Sequence, residues 1–141
     1  LYRAIGDGAD VAIASRKPAP KKAVRRSFHR KFMANIFRAL VKFIALRGFF
    51  DTQCGFKMFR RSAVQVVFPL QTIERWGFDV ELLYIALKKK LRVVEVPVAW
   101  SESGESRLST TTPFTMIGDL LRIRWNDLLG RYRSQQRWAD E

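Results

Sequence analysis

ADVAIASR, residues Ala9–Arg16, is a short apolar run that follows the turn-forming residues Gly6-Asp7-Gly8. A continuous apolar run of this length after a turn signal predicts a buried strand. Arg16 stands at the carboxyl end of that strand. Because ligands of open α/β sheets gather at the carboxyl ends of strands, Arg16 is a candidate ligand contact. A solvated loop charge is the alternative for this arginine.

Outward from this strand, the chain mixes helical and strand patterns. Ser27 is a candidate N-cap for a long helix, and Pro113 precedes a last amphipathic helix. The predicted helices are Phe28–Leu46, Ser62–Phe68, Asp79–Lys90 and a helix after Pro113; the predicted strands are Ala9–Ser15, the end of Asp51–Arg60, and Arg92–Trp100 with Pro97 at an edge or end. The pattern predicts an α/β fold with a mixed sheet.

Composition limits the class of protein. The chain has 141 residues, 48% of them hydrophobic, and a net charge of +13, so an acidic partner such as phospholipid, a phosphorylated small molecule or nucleic acid is expected. The single Cys54 excludes an internal disulfide framework and a Cys-based metal site, and the lone His29 offers little for a His-based one. No apolar run is long enough for a spanning helix. The opening residues Leu1-Tyr2-Arg3 are typical of the end of a helix, which predicts the C-terminal part of a longer protein.

Positive charge is concentrated in one segment. Fourteen Lys and Arg residues lie from Arg16 to Arg61, with Asp51 as the one carboxylate among them. The same segment carries an apolar stripe at helical spacing, which comprises Phe28, Phe32, Ile36, Leu40 and Ile44. Cations beside aliphatic side chains are typical of a membrane surface, so we expect partial lipid contact. The alternative is that the stripe faces the protein core.

The helix after Pro113 has its own apolar stripe. That stripe comprises Phe114, Ile117, Leu121, Trp125 and Leu128, with Arg122, Arg124 and Arg131 beside it. The pattern predicts an amphipathic helix.

Four stretches together carry a family resemblance: Ala9–Arg16 (ADVAIASR), Asp51–Lys57 (DTQCGFK), Glu74–Leu83 (ERWGFDVELL) and Gly104–Leu108 (GESRL). In this order and spacing they resemble family 2 glycosyltransferases of the GT-A fold, and within them the dolichyl- or polyprenyl-phosphate glucosyltransferases. The resemblance implies that residues 1–133 are the C-terminal, acceptor-side part of a GT-A domain with amphipathic interface helices, and that residues 134–141 are a polar tail.

The resemblance implies an inverting transfer of glucose from UDP-glucose to a polyprenyl phosphate, with a β-linked product. It places the enzyme at the cytosolic face of a membrane, which is the endoplasmic reticulum in a eukaryote and the plasma membrane in a prokaryote. The expected partners are a nucleotide sugar, a polyprenyl phosphate and the membrane surface, with no nucleic acid.

The resemblance also assigns the acceptor phosphate to Arg16 and Arg30, with Lys57 as a further phosphate contact. Relatives often carry a Ser one turn after the second Arg, where this chain has Ala34. A strand-end Arg and a helix-face Arg could converge on one phosphate through charge-assisted hydrogen bonds. Solvated helix and strand surfaces are the alternatives for Arg30 and Lys57.

Other site residues follow from the same resemblance. Gln53 and Gly55 are expected beside the sugar and the acceptor phosphate. Arg107 stands where relatives have Lys and is expected to contact the donor diphosphate; a solvated loop cation is the alternative. Asp79 is the candidate catalytic residue, for a sugar hydroxyl or positioning role, with a helix N-cap as the alternative. Glu81 is expected to pair with a nearby cation.

The metal ligands of this family come from an Asp-X-Asp motif in the N-terminal half, and no Asp-X-Asp occurs in this chain. We therefore expect no metal ligand here, a parent enzyme dependent on Mg²⁺ or Mn²⁺, and a fragment that is inactive alone. Two alternatives stay open: a related mannosyltransferase that uses GDP-mannose, and a non-catalytic basic module that binds membranes or nucleic acid.

Overall fold

A computed structural model describes residues 1–16, 49, 51–52, 54–74, 77–99 and 112–133. The elements in chain order are α1 (Tyr2–Gly6), β1 (Val11–Ser15), β2 (Lys57–Phe59), α2 (Arg61–Val67), a 3₁₀ turn (Phe68–Leu70), α3 (Phe78–Lys88), β3 (Val93–Pro97) and α4 (Thr112–Leu128). The predicted helix Phe28–Leu46, with its apolar stripe, lies outside the described residues.

Within the described residues, β1 is the central strand of a three-stranded sheet in the order β2-β1-β3. Strand β2 pairs antiparallel to it, with Val11 opposite Phe59, and β3 pairs parallel to it, with Val11 opposite Val93. All five residues of β1 are buried, and Val11 and Ile13 pack in the hydrophobic cluster with residues of α2, α3 and α4. The predicted buried strand and the mixed α/β sheet are both confirmed, and Pro97 is the last residue of β3, where its missing N–H costs little.

Helix α3 forms the centre of the core. Seven of its residues are buried, from Val80 to Ala86, and all of them except Glu81 join β1, α2 and α4 in one hydrophobic cluster. The helix begins at Phe78 with Gly77 as its N-cap, so Asp79 lies in its first turn and is not the cap. The N-cap alternative for Asp79 is therefore wrong.

The side of helix α4 that packs against the core is not the side that carries the apolar stripe defined from the sequence. Met116, Leu120 and Ile123 are buried, whereas Leu121 and Trp125 of the stripe are 60% and 63% exposed. The helix has two apolar faces, and periodicity alone does not say which of them packs.

Glu81 joins three parts of the structure through a fully buried carboxylate. Its Oε2 accepts hydrogen bonds from the backbone N–H groups of Thr72 (2.9 Å) and Ile73 (2.8 Å). Its Oε1 accepts from the Thr72 hydroxyl (2.7 Å) and from the Tyr132 hydroxyl beyond α4 (2.6 Å). The expectation that Glu81 pairs with a cation is wrong, because neutral donors hold it. Burial and the bond to Glu81 raise the pKa of Tyr132.

Glu81→Ala should lower the free energy of unfolding by about 3 kcal/mol or more, because it leaves the backbone amides of Thr72 and Ile73 and the buried Tyr132 hydroxyl without their acceptor. Chemical denaturation measures this loss. The exposed Glu74, substituted as Glu74→Ala, is the matched control and should change stability by less than about 0.5 kcal/mol. Equal stability of the two variants would contradict the role given to Glu81.

Candidate functional site

The candidate site lies at the carboxyl end of β1, where Arg16 follows the strand. Lys57 of β2 and Glu95 of β3 both stand opposite Ile13, one on each side of β1. Asp79, in the first turn of α3, reaches the same place through its bond to Lys57. Four elements, β1, β2, β3 and α3, therefore bring charged side chains to one end of the sheet.

Asp51 holds the Arg16 side chain in a fixed orientation. The guanidinium donates from Nε to Oδ2 (2.5 Å) and from Nη2 to Oδ1 (2.7 Å), and the backbone N–H of Arg16 also donates to Oδ2 (3.1 Å). The backbone N–H of Asp51 in turn donates to Oε1 of Glu95 (2.7 Å). A two-point contact between guanidinium and carboxylate fixes direction as well as distance. The Arg16 guanidinium therefore has a fixed orientation in the folded protein.

The charge state of Asp51 follows from its surroundings. Burial acts to raise its pKa, but hydrogen bonds from the side chain and backbone of Arg16, with the positive charges of Arg16 and Lys57, outweigh burial. The pKa of Asp51 is therefore lowered from its ordinary value of 3.8. The carboxylate is ionised at neutral pH and offsets part of the cationic charge at this edge.

Lys57 and Asp79 form a second, more buried ion pair. The Lys57 ammonium donates to Oδ1 of Asp79 (2.8 Å) and to the carbonyl oxygen of Cys54 (2.6 Å). The side chains of Lys57 and Asp79 are 4% and 15% exposed. An ammonium so far removed from water needs such partners. The first turn of α3 also favours a carboxylate at Asp79, since the helix dipole is positive there.

Three of the predicted site residues, Arg16, Lys57 and Asp79, lie at this end of the sheet. Two donor protons of the Lys57 ammonium are engaged out of three, so a phosphate contact by Lys57 stays a prediction. Gly55 is exposed, and a Cβ added there would meet no atom within 4 Å, so there is open space beside this backbone. Gln53, Arg30 and Arg107 lie outside the described residues.

Sequence reasoning missed two carboxylates, Asp51 and Glu95. Asp51 had a signal, since it is the one acidic residue among the fourteen cations from Arg16 to Arg61. A lone carboxylate in such a segment is a candidate partner for one of them. Glu95 had a weaker signal, as an acidic residue within a strand of valines. Glu95 is placed by the register of β3 on β1, and Asp51 lies in the segment before β2; the sequence alone specifies neither position.

Asp51→Asn should lower the free energy of unfolding at pH 7 by about 1.5 to 2 kcal/mol. A hydrogen bond to a charged group contributes roughly 1.5 to 3 kcal/mol, and the lower part of that range applies because the Arg16 side chain is 43% exposed. The folded-state pKa of Asp51 is depressed, so its contribution is complete above pH 3.8 and is lost as the pH falls through the lowered pKa.

The stability difference between wild type and Asp51→Asn should therefore narrow as the pH falls below 3.8, as measured by denaturation across that range. Asp7→Asn, at an exposed carboxylate, is the control and should match wild type throughout. A difference that stays constant down to the lowest pH would contradict the ion pair.

Several curated proteins are similar in sequence to this chain. It is 41% identical over 128 residues to the dolichyl-phosphate beta-glucosyltransferase of Homo sapiens, a match that covers 89% of the chain and 40% of that relative. It is 41% identical over 110 residues to the protein of the same name from Dictyostelium discoideum (77% of the chain, 34% of the relative). The protein of that name from Saccharomyces cerevisiae is 37% identical over 130 residues (90% and 39%).

The chain thus spans about two fifths of the length of these relatives and matches their C-terminal portion. The resemblance inferred from the four motifs is confirmed. No protein-family model matches the chain, and no solved structure matches it.

Proposed function

Because the chain is related in sequence to the C-terminal portion of the dolichyl-phosphate beta-glucosyltransferases, we propose that its parent protein transfers glucose from UDP-glucose to dolichyl or another polyprenyl phosphate. The described residues then form the acceptor-side part of a GT-A domain. The observation that carries the proposal is the Arg16 guanidinium, which Asp51 orients at the carboxyl end of β1.

The acceptor chemistry suits this arrangement. A phosphate monoester is already ionised at neutral pH, so its oxygen can attack the anomeric carbon of glucose without losing a proton to a base. The bond from that carbon to the UDP oxygen breaks, and UDP leaves with the electron pair, which inverts the configuration and gives a β-linked product. The protein's task is to place cations around the reacting anions, and Arg16 with Lys57 can do so. Arg30 and Arg107 are proposed to complete the set.

Asp79 is proposed to contact a sugar hydroxyl rather than to remove a proton. Lys57 fixes its Oδ1, and the start of α3 fixes its backbone, so the carboxylate has a defined position. A carboxylate held in this way can accept a hydrogen bond from a hydroxyl of the donor sugar. Lys57 is then a positioning residue for Asp79 as well as a candidate phosphate contact.

The divalent metal, Mg²⁺ or Mn²⁺, is proposed to bind elsewhere in the parent protein. Across the described ranges, no three His, Cys, Asp or Glu side chains are grouped so as to hold a metal ion. Asp51 and Asp79 do not fit the role, because each is already ion-paired with a cation. A bound metal would stabilise the departing diphosphate.

Membrane association at the cytosolic face is part of the proposal, since a polyprenyl phosphate is a membrane lipid. The chain's charge of +13 favours an anionic surface. Within the part of the chain that the structure describes, no helix is long and apolar enough to cross a bilayer.

Transfer of mannose from GDP-mannose is the second candidate reaction, and an assay with both donors separates the two.

In the parent protein, Arg16→Ala should raise the KM for polyprenyl phosphate and leave the KM for UDP-glucose within about twofold. Loss of one charge-assisted contact of about 1.5 to 3 kcal/mol corresponds to a change of roughly 10- to 150-fold. Glycolipid formation with radiolabelled UDP-glucose measures both constants. Arg61→Ala, at an exposed arginine of α2, is the control; an unchanged acceptor KM in Arg16→Ala would contradict the clamp.

In the same assay, Asp79→Asn should lower kcat at least about tenfold, because a hydrogen bond from the substrate to a charged acceptor is lost. This variant also leaves the Lys57 ammonium buried without its partner, so the double variant Lys57→Met/Asp79→Asn is needed. The double variant should recover thermal stability but not kcat. Recovery of kcat to near the wild-type value would show that Asp79 acts only as the partner of Lys57.

A further inference from the structure

A third carboxylate, Glu95, lies at the candidate site, where its negative charge needs a physical reason. Asp51 and Asp79 are each paired with a cation at this end of the sheet. Glu95 adds a further negative charge beside them, since its Oε1 is 2.7 Å from the backbone nitrogen of Asp51. A carboxylate repels a phosphate anion, so the charge of Glu95 by itself disfavours an acceptor phosphate at this end. A contact that outweighs this repulsion is therefore expected.

The register of the sheet fixes where the Glu95 side chain lies. Glu95 of β3 and Lys57 of β2 both stand opposite Ile13 of β1. Residues that stand opposite each other in a sheet point to the same face, so Lys57, Ile13 and Glu95 form one row across the three strands. Ile13 is fully buried in the hydrophobic cluster. The two charged side chains therefore lie on either side of a core residue, on the face that packs against α3.

Asp51 lies in no helix or strand, so its position depends on contacts with other segments. Its backbone N–H donates to Glu95 of β3 (2.7 Å). Its carboxylate accepts from the backbone N–H of Arg16, at the end of β1 (3.1 Å), and from the Arg16 guanidinium. Asp51 is 8% exposed. Glu95 thus fixes the backbone of Asp51, and the carboxylate of Asp51 fixes Arg16.

The other end of this segment has a contact of its own. The carbonyl oxygen of Cys54 accepts a hydrogen bond from the Lys57 ammonium (2.6 Å), and Cys54 is 4% exposed. Lys57 therefore holds the Cys54 end of the segment, whereas Glu95 holds the Asp51 end. Loss of the Glu95 contact should affect Arg16 more than the pair of Lys57 with Asp79.

We propose that Glu95 is a positioning residue for the acceptor phosphate, which acts through Asp51 on the Arg16 guanidinium. The inference rests on the proposed function, in which Arg16 contacts that phosphate. Without the Glu95 contact, the backbone of Asp51 loses its attachment to β3, and its carboxylate no longer holds the guanidinium in one direction. A binding group that is displaced slightly from its productive position contributes much less, which makes this contact worth the added negative charge.

Two conservative variants of the parent protein separate the contact from the charge. Glu95→Asp keeps the charge but is one methylene shorter, so the carboxylate no longer reaches the Asp51 N–H. It should raise the KM for polyprenyl phosphate about tenfold, and change kcat and the KM for UDP-glucose by less than about threefold. Glu95→Gln loses the charge but keeps an oxygen that accepts the N–H, and its acceptor KM should stay within about twofold of the wild-type value.

Glycolipid formation with radiolabelled UDP-glucose measures these constants. If Glu95 acted through its charge alone, the results would be reversed: Glu95→Asp would match wild type, and Glu95→Gln would lower the acceptor KM because a repulsion is removed. That result would overturn the inference.

Asp10 offers a matched control at the opposite end of the same two strands. Its Oδ2 accepts a hydrogen bond from the backbone N–H of Arg92, which precedes β3 (2.8 Å). Asp10→Ala therefore removes a carboxylate-to-backbone contact between β1 and β3 that lies away from Arg16. It should lower Tm, as measured by circular dichroism, and leave the acceptor KM unchanged. A rise in acceptor KM that follows the fall in Tm in both Asp10→Ala and Glu95→Asp would show that Glu95 is only structural.

Combination with Arg16→Ala tests the path of the effect. In the Arg16→Ala background, Glu95→Asp should raise the acceptor KM by less than about a further twofold, because the group that it orients is already gone. An equal factor in both backgrounds would overturn the inference. Transfer by wild type with an unchanged acceptor KM in Glu95→Asp would overturn the inference alone. Absence of glucosyl transfer by the wild-type parent would overturn the proposed function and this inference with it.

Discussion

The buried carboxylate of Glu81 is the constraint on which the rest of the structure depends. It is fully inside the domain and accepts four hydrogen bonds from the segment before α3 and from Tyr132 after α4. A buried anion is costly unless donors surround it, so this network specifies one arrangement of the three parts. Asn126 extends it, since its amide donates to the Thr72 hydroxyl (2.8 Å). The start of α3, where Asp79 lies, is thereby fixed relative to α4.

Four charged side chains of the candidate site differ from Glu81, because each is paired with a side chain of opposite charge rather than with neutral donors. Arg16 with Asp51 and Lys57 with Asp79 alternate in sign at the edge of the sheet, and Lys57 also lowers the pKa of Asp51. This alternation of charge reduces the mutual repulsion of the two cations in the folded protein. The two pairs also differ in exposure: the Lys57 side chain is 4% exposed, whereas that of Arg16 is 43% exposed. Arg16 is therefore the more solvent-accessible of the two cations.

Much of this arrangement could be predicted from the sequence where the signal is local. The apolar run of Ala9–Arg16 specifies a buried strand, and with it the position of Arg16 at the strand end. Contacts between distant segments could not be predicted, since the sequence of a strand does not determine which residues of a neighbouring segment it will face. Lys57 and Asp79 are 22 residues apart in sequence, and Arg16 and Asp51 are 35 residues apart. Two partners of Glu81, Thr72 before α3 and Tyr132 after α4, are 60 residues apart. The expectation of a cation beside Glu81 failed because four neutral donors satisfy a carboxylate as well as an ion pair does.

Helix α4 shows why an amphipathic pattern does not identify the buried side. Its apolar residues at 117, 121, 125 and 128 form the more regular row, yet Met116, Leu120 and Ile123 are the ones that pack. Asn126 lies on the same buried side as Met116, Leu120 and Ile123, and its amide donates to the Thr72 hydroxyl of the Glu81 network. A polar residue on the buried side makes that side less recognisable as apolar in the sequence. The buried Asn126 and the exposed Leu121 and Trp125 together show that the hydrogen bonds of the Glu81 network, and not the regularity of an apolar row, decide which side of α4 packs.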